Sequence, residues 1–283
     1  MGIDIDHLRS WIGRQETLVD SVTTFPVAAL AATLDRDDPE PAPGDALPPL
    51  WHWLCFLPRA PQSQLGPDGH PKRGGFLPPV ALPRRMWAGG RLTFPGTLHV
   101  GDAITRTSTI ADVSMKAGRT GRLVFVLVRN EIAGPEGVAV TEEHDIVYRD
   151  APHPDEAPPA PRPAPTDAAW RRDIVPDPVL LFRYSALTFN GHRIHYDRRY
   201  VTEAEGYPGL IVHGPLLATM LVDLVRRNSA RRLEAFRFRA LSPVFDTGGF
   251  ALCGREEGNG AALWVQRDDG TLAMEATATF GES

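Results

Sequence analysis

The sequence contains only two cysteines and no long apolar run. Cys55 and Cys253 lie in opposite halves of the chain, so a disulfide scaffold is excluded and two reduced thiols are expected. No apolar run approaches the roughly 20 residues that a membrane-spanning helix needs. The N-terminal residues carry Asp4 and Asp6 and lack the apolar segment of a secretory signal. We therefore predict a cytoplasmic protein without a membrane partner.

The chain also has no excess of positive charge. Its formal net charge is −5 at pH 7 with neutral histidines, so electrostatics do not favour a nucleic-acid or membrane-surface partner. Hydrophobic residues make up 42% and charged residues 23%, which is ordinary for a globular protein. With 283 residues, the chain can bury a sizeable core as one large domain or two modest ones.

Proline is concentrated in residues 151–168, between two longer segments of mixed composition. Proline cannot donate a hydrogen bond to a strand ladder and favours extended, solvated backbone, so a linker is predicted there. Residues 1–150 and residues 169–283 are each long enough for a domain. They are called the N-terminal half and the C-terminal half below.

The C-terminal half contains one long helical pattern followed by strand-like runs. Apolar residues recur at helical spacing from Leu216 to Val225, and Pro215 lies where a first helical residue is expected. Four apolar runs with turn residues between them follow, within residues 233–280. A helix followed by an antiparallel meander predicts an α+β fold in which the sheet curls around the helix.

The N-terminal half repeats the strand-rich part of this order from residue 97 onwards, but not the helix. Its middle, residues 48–90, is rich in proline, glycine and tryptophan and has only short apolar runs. We expect irregular loops there, at the place where a central helix would correspond. The two halves are thus predicted to share an architecture with little sequence identity.

Two histidines lie three residues apart in residues 187–197, LTFNGHRIHYD, behind an Asn-Gly turn signal. A metal site is disfavoured because no cysteine or carboxylate cluster completes a ligand set, so neither a metal nor another cofactor is expected. His192 could simply bond a neighbouring carbonyl in the core. His195 is the better candidate for acid–base chemistry because a second unusual segment, GYPGLIVHGPLL, follows it.

Gly214 and Pro215 begin the predicted helix within that second segment. A Gly-Pro start leaves backbone N–H groups free, and these carry a partial positive charge. They could hold a thioester oxygen as it becomes an enolate-like oxyanion, while a histidine beside them transfers protons. The same residues are also an efficient helix start, and helix chemistry alone leaves both interpretations open.

The segments FNGHRIHYDRRYV and EGYPGLIVHGPLLATML resemble the signature of the MaoC-like hydratases and dehydratases, which have the hotdog fold. Residues 51–90 resemble the degenerate first hotdog of the double-hotdog members, the hydroxyacyl-thioester dehydratase type 2 group. The resemblance implies a double hotdog in which each half is an antiparallel sheet around a central helix. It also implies that the helix region of the N-terminal half is degenerate.

By position, the resemblance matches His195 to the family's catalytic histidine and Gly214 to its oxyanion-hole glycine. The catalytic aspartate is replaced by Asn190, which cannot take a proton. The resemblance therefore leaves acid–base work to His195 and implies that Asn190 orients the water. The serine that partners the aspartate in the family is replaced by Val222. His213, next to Gly214, is expected to bind substrate.

Arg84 and Arg85 are candidates for binding a carboxylate or phosphate, which a guanidinium contacts in bidentate fashion. The resemblance places them on a loop near the acyl end of the substrate tunnel, although a solvated basic pair is an equally good interpretation. A homodimer is compatible with the resemblance.

The resemblance implies a hydro-lyase that adds water to an enoyl-CoA thioester. A C5 dicarboxylyl-CoA, mesaconyl-C4-CoA or itaconyl-CoA, is the first choice of substrate, and a medium-chain 3-hydroxyacyl thioester is the second. A hotdog thioesterase and a non-catalytic acyl-thioester-binding protein are the alternatives from other classes.

Overall fold

The computed structural model describes residues 3–118, 121–150 and 160–281. The helices are α1 (Ile5–Arg9), α2 (Thr24–Thr33), α3 (Pro178–Leu187), α4 (Arg198–Glu203) and α5 (Gly214–Asn228). The strands of the N-terminal half are β1 (Gln15–Ser21), β2 (Arg84–Thr93), β3 (Ala103–Gly118), β4 (Gly121–Gly134) and β5 (Gly137–Arg149). Those of the C-terminal half are β6 (Trp170–Ile174), β7 (Leu233–Ala240), β8 (Phe250–Glu257), β9 (Gly260–Arg267) and β10 (Leu272–Phe280).

These ten strands form one antiparallel sheet in the order β1-β3-β4-β5-β2-β7-β10-β9-β8-β6. Counted outward from the middle of the sheet, the N-terminal half has the order β2-β5-β4-β3-β1 and the C-terminal half has the order β7-β10-β9-β8-β6. The two orders are equivalent, so that β6 corresponds to β1 and β7 to β2. The halves join where β2 pairs with β7, from Gly89 opposite Arg239 to Thr93 opposite Ala235. This arrangement confirms the predicted double hotdog.

Helix α5 is the central helix of the C-terminal half, as predicted. Every residue from Leu216 to Val225 is buried, and the helix packs against β6, β8, β9 and β10. Pro215 lies in the first turn, where its missing N–H costs no helical hydrogen bond. The sheet therefore holds the start of α5 in a fixed place, which matters for the site.

The N-terminal half has no counterpart of α5 among its described residues. Short 3-10 turns at Trp51–Leu54 and Gln62–Gln64, with irregular loops around them, take its place. The prediction that Arg84 and Arg85 lie on a loop is wrong, because β2 begins at Arg84. Pairing with β5 on one side and β7 on the other overrides the low strand propensity of this glycine-containing segment.

Residues 151–159 of the predicted linker lie outside the described residues. Beyond them, the Ala164 N–H donates to the Gly270 carbonyl, and the Leu272 N–H donates to the Arg162 carbonyl. The last part of the proline-rich segment thus packs against the C-terminal half. No helix in the described ranges is long and apolar enough to cross a membrane.

Candidate active site

A cavity of about 960 Å³ has walls from both halves of the chain. The N-terminal half contributes irregular loops and the face of its sheet, and the C-terminal half contributes α3, the segment after it and the start of α5. Apolar and polar side chains share the lining. Among the lining residues are His52, Trp53, His70, Arg85, Trp87, Arg106, Glu142, His144, Tyr148, Tyr184, Ser185, Asn190 and Pro215.

His195 ends a short 3-10 turn, Arg193–His195, and its side chain is buried, with 7% of the residue exposed. Its Nδ1 lies 2.7 Å from the carbonyl oxygen of Ile211. A carbonyl only accepts, so Nδ1 carries the proton and Nε2 keeps a lone pair. Burial lowers the pKa of His195 to about 4. The ring is therefore a neutral base at pH 7.

His213 packs against the His195 ring. The two imidazoles stack with centroids 3.7 Å apart and planes at 18°. His213 Nε2 lies 2.8 Å from the hydroxyl oxygen of Ser185 on α3. Burial lowers the pKa of His213 well below its ordinary value, so it too is neutral. The structure makes His213 a packing partner of His195, and contact with a substrate stays a prediction.

Gly214 begins α5 beside these rings. Its N–H is one of the free donors of a helix start, where the helix dipole adds positive charge. A Cβ built on Gly214 would meet no neighbouring atom within 4 Å, so open space lies against this backbone. Pro215, the next residue, lines the cavity. A thioester oxygen could approach the N–H there, as the oxyanion-hole prediction requires.

Asn190 lies in the cavity wall, just after α3. Its backbone N–H donates to the Ser185 carbonyl at 2.8 Å, and its Oδ1 accepts from the His192 N–H at 3.0 Å. One lone pair of the side-chain oxygen is thus used, and the amide nitrogen remains as a donor. This geometry is compatible with the predicted water-orienting role, which needs a donor to the water oxygen.

The two candidate arginines point to opposite sides of the sheet, as neighbours on a strand do. Arg84 Nη1 donates to the Tyr207 hydroxyl at 3.2 Å, and its Nη2 lies 3.9 Å from a Glu205 carboxylate oxygen. Arg85 lines the cavity, and so does Tyr148, the residue of β5 that is paired with Arg85. Of the pair, only Arg85 is placed to meet a substrate.

A buried carboxylate in the cavity wall escaped the sequence predictions. Glu142 on β5 is 2% exposed and accepts from Trp53 Nε1 and Asn130 Nδ2, both at 2.9 Å. Burial alone would raise the pKa of Glu142, but His144 and His52 beside it hold the pKa well below its ordinary value. Side chains alternate between the two faces of β5, but only the fold reveals that Trp53, from a 3-10 turn, and Asn130, on β4, meet Glu142 there.

A second cluster of ionisable side chains, which sequence spacing could not reveal, contains residues from both halves of the chain. One ligand-type atom each of Asp68, His70 and His192 lies within 4.8 Å of the others. Two imidazoles and a carboxylate occur in transition-metal sites, so these residues could hold a metal. The expectation of a site without metal stays a prediction.

The buried histidines predict a specific pH dependence of stability. Burial lowers the pKa of His195 to about 4 and that of His192 to about 2, and it also lowers that of His213. The unfolded chain takes up protons near pH 6.5, while the folded chain does not. Stability from these groups is therefore present above about pH 6.5 and is lost as the pH falls toward 4.

Urea unfolding at pH 7, 6 and 5 measures this effect. Each histidine that stays neutral in the fold contributes a slope approaching about 1.4 kcal/mol per pH unit. The free energy of unfolding should fall below pH 6, with the contributions of several histidines adding. A free energy of unfolding that is unchanged down to pH 5 would show that burial does not keep these histidines neutral in the folded protein.

Comparison with known proteins places this geometry in a family. The chain is 48% identical over 279 residues to the mesaconyl-C(4)-CoA hydratase of Chloroflexus aurantiacus, covering 96% of this chain and 97% of the relative. The crystal structure of HtdX from Mycobacterium tuberculosis matches 95% of this chain and 100% of its own, with a TM-score of 0.67 and 18% identity. A conserved hypothetical protein of the same organism, described as a double hotdog, matches 94% of this chain and 95% of its own, with a TM-score of 0.58 and 13% identity.

The two solved structures support the fold alone, because their sequence identity is low. The family profile of hydroxyacyl-thioester dehydratase type 2 matches residues 50–246, which include the N-terminal cavity wall, the His195 segment and α5. Since this match covers well over half of the chain, the protein belongs to the hydroxyacyl-thioester dehydratase type 2 family.

Proposed function

We propose that the protein is a hydro-lyase that adds water reversibly to the double bond of an enoyl-CoA thioester. One observation carries the proposal: a neutral histidine, His195, stacks on His213, the residue before the free N–H groups that begin α5, and Pro215 in that first turn lines a large cavity. A base next to an oxyanion-binding helix start is what conjugate addition of water to a thioester requires.

In the hydration direction, His195 Nε2 takes a proton from water as the water oxygen bonds to Cβ of the substrate. The electrons of the double bond move toward the thioester, and the Gly214 N–H stabilises the negative charge on its oxygen. The Asn190 amide donates to the water oxygen and orients it. Protonated His195 then gives this proton to Cα, so that one water molecule has been added in total and His195 is neutral again.

The proposed substrate is a C5 dicarboxylyl-CoA, with mesaconyl-C4-CoA first and itaconyl-CoA second. The 48% identity with a mesaconyl-C(4)-CoA hydratase over nearly the whole chain supports this choice. A free carboxylate inside the cavity would be costly without a cation, and Arg85 supplies one. A medium-chain 3-hydroxyacyl thioester is the alternative that the family name supports.

A panel of thioesters tests this function. The purified enzyme is incubated with mesaconyl-C4-CoA, itaconyl-CoA, crotonyl-CoA and a medium-chain 2-enoyl-CoA, and products are followed by mass spectrometry. We expect each accepted acyl-CoA to gain the mass of one water molecule, with the highest kcat/KM for mesaconyl-C4-CoA. Release of free CoA would indicate a thioesterase instead. Tight binding without turnover would indicate a non-catalytic binding protein.

A homodimer is compatible with this function, and size-exclusion chromatography would test whether the protein forms one.

Replacing Arg85 by alanine should alter substrate choice. Without the guanidinium the second carboxylate is left unpaired, which costs about 2–5 kcal/mol. The kcat/KM for mesaconyl-C4-CoA should fall about 30-fold or more, while that for crotonyl-CoA, which lacks the carboxylate, should barely change. Arg84→Ala is the matched control, because Arg84 bonds Tyr207 and should leave both values unchanged. Equal losses with both substrates in Arg85→Ala would refute a carboxylate-binding role.

A further inference from the structure

We propose that Ser185, on α3, is a positioning residue of this site, which fixes the orientation of the His195 ring by holding His213 in place. The proposal rests on the hydratase function above and adds a residue that the family resemblance does not include. A general base takes a proton along the direction of its lone pair, so the orientation of the His195 ring affects the rate of hydration.

The hydrogen bond to the Ile211 carbonyl does not by itself fix the His195 ring. It holds one ring atom, Nδ1, at 2.7 Å from the carbonyl oxygen. The χ2 torsion of histidine has a broad energy profile, and a hydrogen bond tolerates a misalignment of about 30°. The ring can therefore tilt about this contact, and the lone pair of Nε2 tilts with it. A second contact is needed to fix its direction.

His213 supplies that second contact by stacking on the face of the ring. The two ring planes lie at 18° to each other, with centroids 3.7 Å apart. Both residues are buried. In a closely packed interior, the His195 ring cannot tilt out of this stack unless His213 moves as well. The orientation of the base therefore depends on what holds His213.

Ser185 holds the His213 ring by a hydrogen bond. The Ser185 hydroxyl oxygen lies 2.8 Å from His213 Nε2, whereas His213 Nδ1 has no hydrogen-bond partner in the part of the chain that the structure describes. Tyr184 adds an edge contact to the ring, with centroids 5.0 Å apart and planes at 65°. That contact fills space but contains no hydrogen bond to a ring nitrogen. The polar restraint on this buried ring is thus a single bond, the one to Ser185.

Ser185 is itself firmly placed between two parts of the site. Its backbone carbonyl accepts from the Asn190 N–H at 2.8 Å, and its side chain bonds His213, the residue before Gly214. Ser185 is buried and also lines the cavity. At the start of the same helix, the Asp177 side chain accepts from the Leu180 N–H at 2.7 Å. One serine therefore connects the turn that carries Asn190 to the beginning of α5.

The test replaces Ser185 by alanine in the intact protein and measures hydration of mesaconyl-C4-CoA. Ser185→Ala should lower kcat by about 10-fold to 10²-fold, because small misplacements of a reacting group have effects of this size. The value of KM should change little, since the cavity walls that hold the substrate are kept. A loss of stability alone would not separate kcat from KM in this way.

Thr33→Val is the matched control for Ser185→Ala. Thr33 is as deeply buried as Ser185, and its hydroxyl donates to the Ala29 carbonyl at 2.6 Å within α2. Thr33 does not line the cavity. Thr33→Val thus removes a buried hydroxyl from a helix without touching His213, and it should leave both kcat and KM unchanged. Urea unfolding of both variants shows that each is folded.

A double-mutant cycle separates positioning from direct contact with the substrate. If Ser185 acts by orienting the base, Ser185→Ala should cause no further loss of kcat in a protein that already carries His195→Ala. His213→Phe gives a second cycle, because phenylalanine keeps a ring against His195 but lacks Nε2. In that background too, Ser185→Ala should have no further effect.

Three results would overturn this role of Ser185. A Ser185→Ala protein with the kcat and KM of Thr33→Val would show that the hydroxyl does not position the base. A raised KM with unchanged kcat, or a full further loss in the His195→Ala background, would make Ser185 a substrate contact instead. A wild-type protein that hydrates none of the thioesters would refute the proposed function as well. The wild type is measured first, so failure of the function is distinguished from failure of the Ser185 assignment.

Discussion

Replacing His195 by alanine is expected to lower kcat/KM for mesaconyl-C4-CoA by about 10²–10⁴-fold, the usual contribution of a general acid–base residue. The Ile211 carbonyl fixes the tautomer of His195, and burial keeps the ring neutral. The loss should therefore be in kcat, because the alanine variant keeps the substrate contacts but cannot take the proton.

The control for this variant is His192→Ala, which removes a histidine from the same segment without removing the base beside α5. Both variants should keep a cooperative unfolding transition, so that a loss of activity is not a loss of fold. A folded His195→Ala protein that hydrates at nearly the wild-type rate would end the assignment of His195 as the base.

Replacing Asp223 by asparagine is expected to destabilise the fold by about 3–5 kcal/mol, the usual cost of removing one partner from a buried ion network. Asp223 lies within α5 and is 1% exposed. Its carboxylate bonds Arg36 Nη1 at 2.6 Å, Arg227 Nε at 2.7 Å and Arg172 Nη1 at 3.3 Å. Arg36 follows α2 and Arg172 lies on β6, so one carboxylate ties the central helix to both halves.

An exposed ion pair provides the matched control. Glu203 bonds Arg199 at 2.9 Å on α4, where both side chains are largely exposed. Glu203→Gln should cost less than about 1 kcal/mol, because water compensates for the lost pair. Urea unfolding of both variants at pH 7 measures the difference. Similar small losses in the two proteins would mean that the arginines find other partners when Asp223 is neutralised.

Local patterns in the sequence predict the C-terminal half well, because each of its elements has its own signal. The helical spacing from Leu216 to Val225 and the Gly214-Pro215 start specify α5 before any tertiary contact is known. The strands within residues 233–280 follow the same logic, since apolar runs separated by turn residues indicate a meander. Resemblance to a known family then adds His195 and Gly214 as candidates.

The N-terminal wall of the site could not be predicted in this way. Arg84 and Arg85 lie in a strand because they pair with Arg149 and Tyr148 of β5, and β7 pairs with the same strand from Gly89 onwards, which local propensity does not indicate. Glu142 faces partners on other elements, and Asp68 meets His192 across the two halves. Contacts between residues that are distant in sequence depend on strand register and loop docking, so only the folded chain reveals them.

The most direct test of the proposed reaction is the position of oxygen-18 after turnover of mesaconyl-C4-CoA in labelled water. Addition to the double bond places the label in a new hydroxyl group on Cβ of an acyl chain that is still attached to CoA. The proposed chemistry of His195 and Gly214 predicts this product, with its yield lowered in parallel with kcat in His195→Ala. Label in a released carboxylate, together with free CoA, would contradict it, because water would then have attacked the thioester carbonyl.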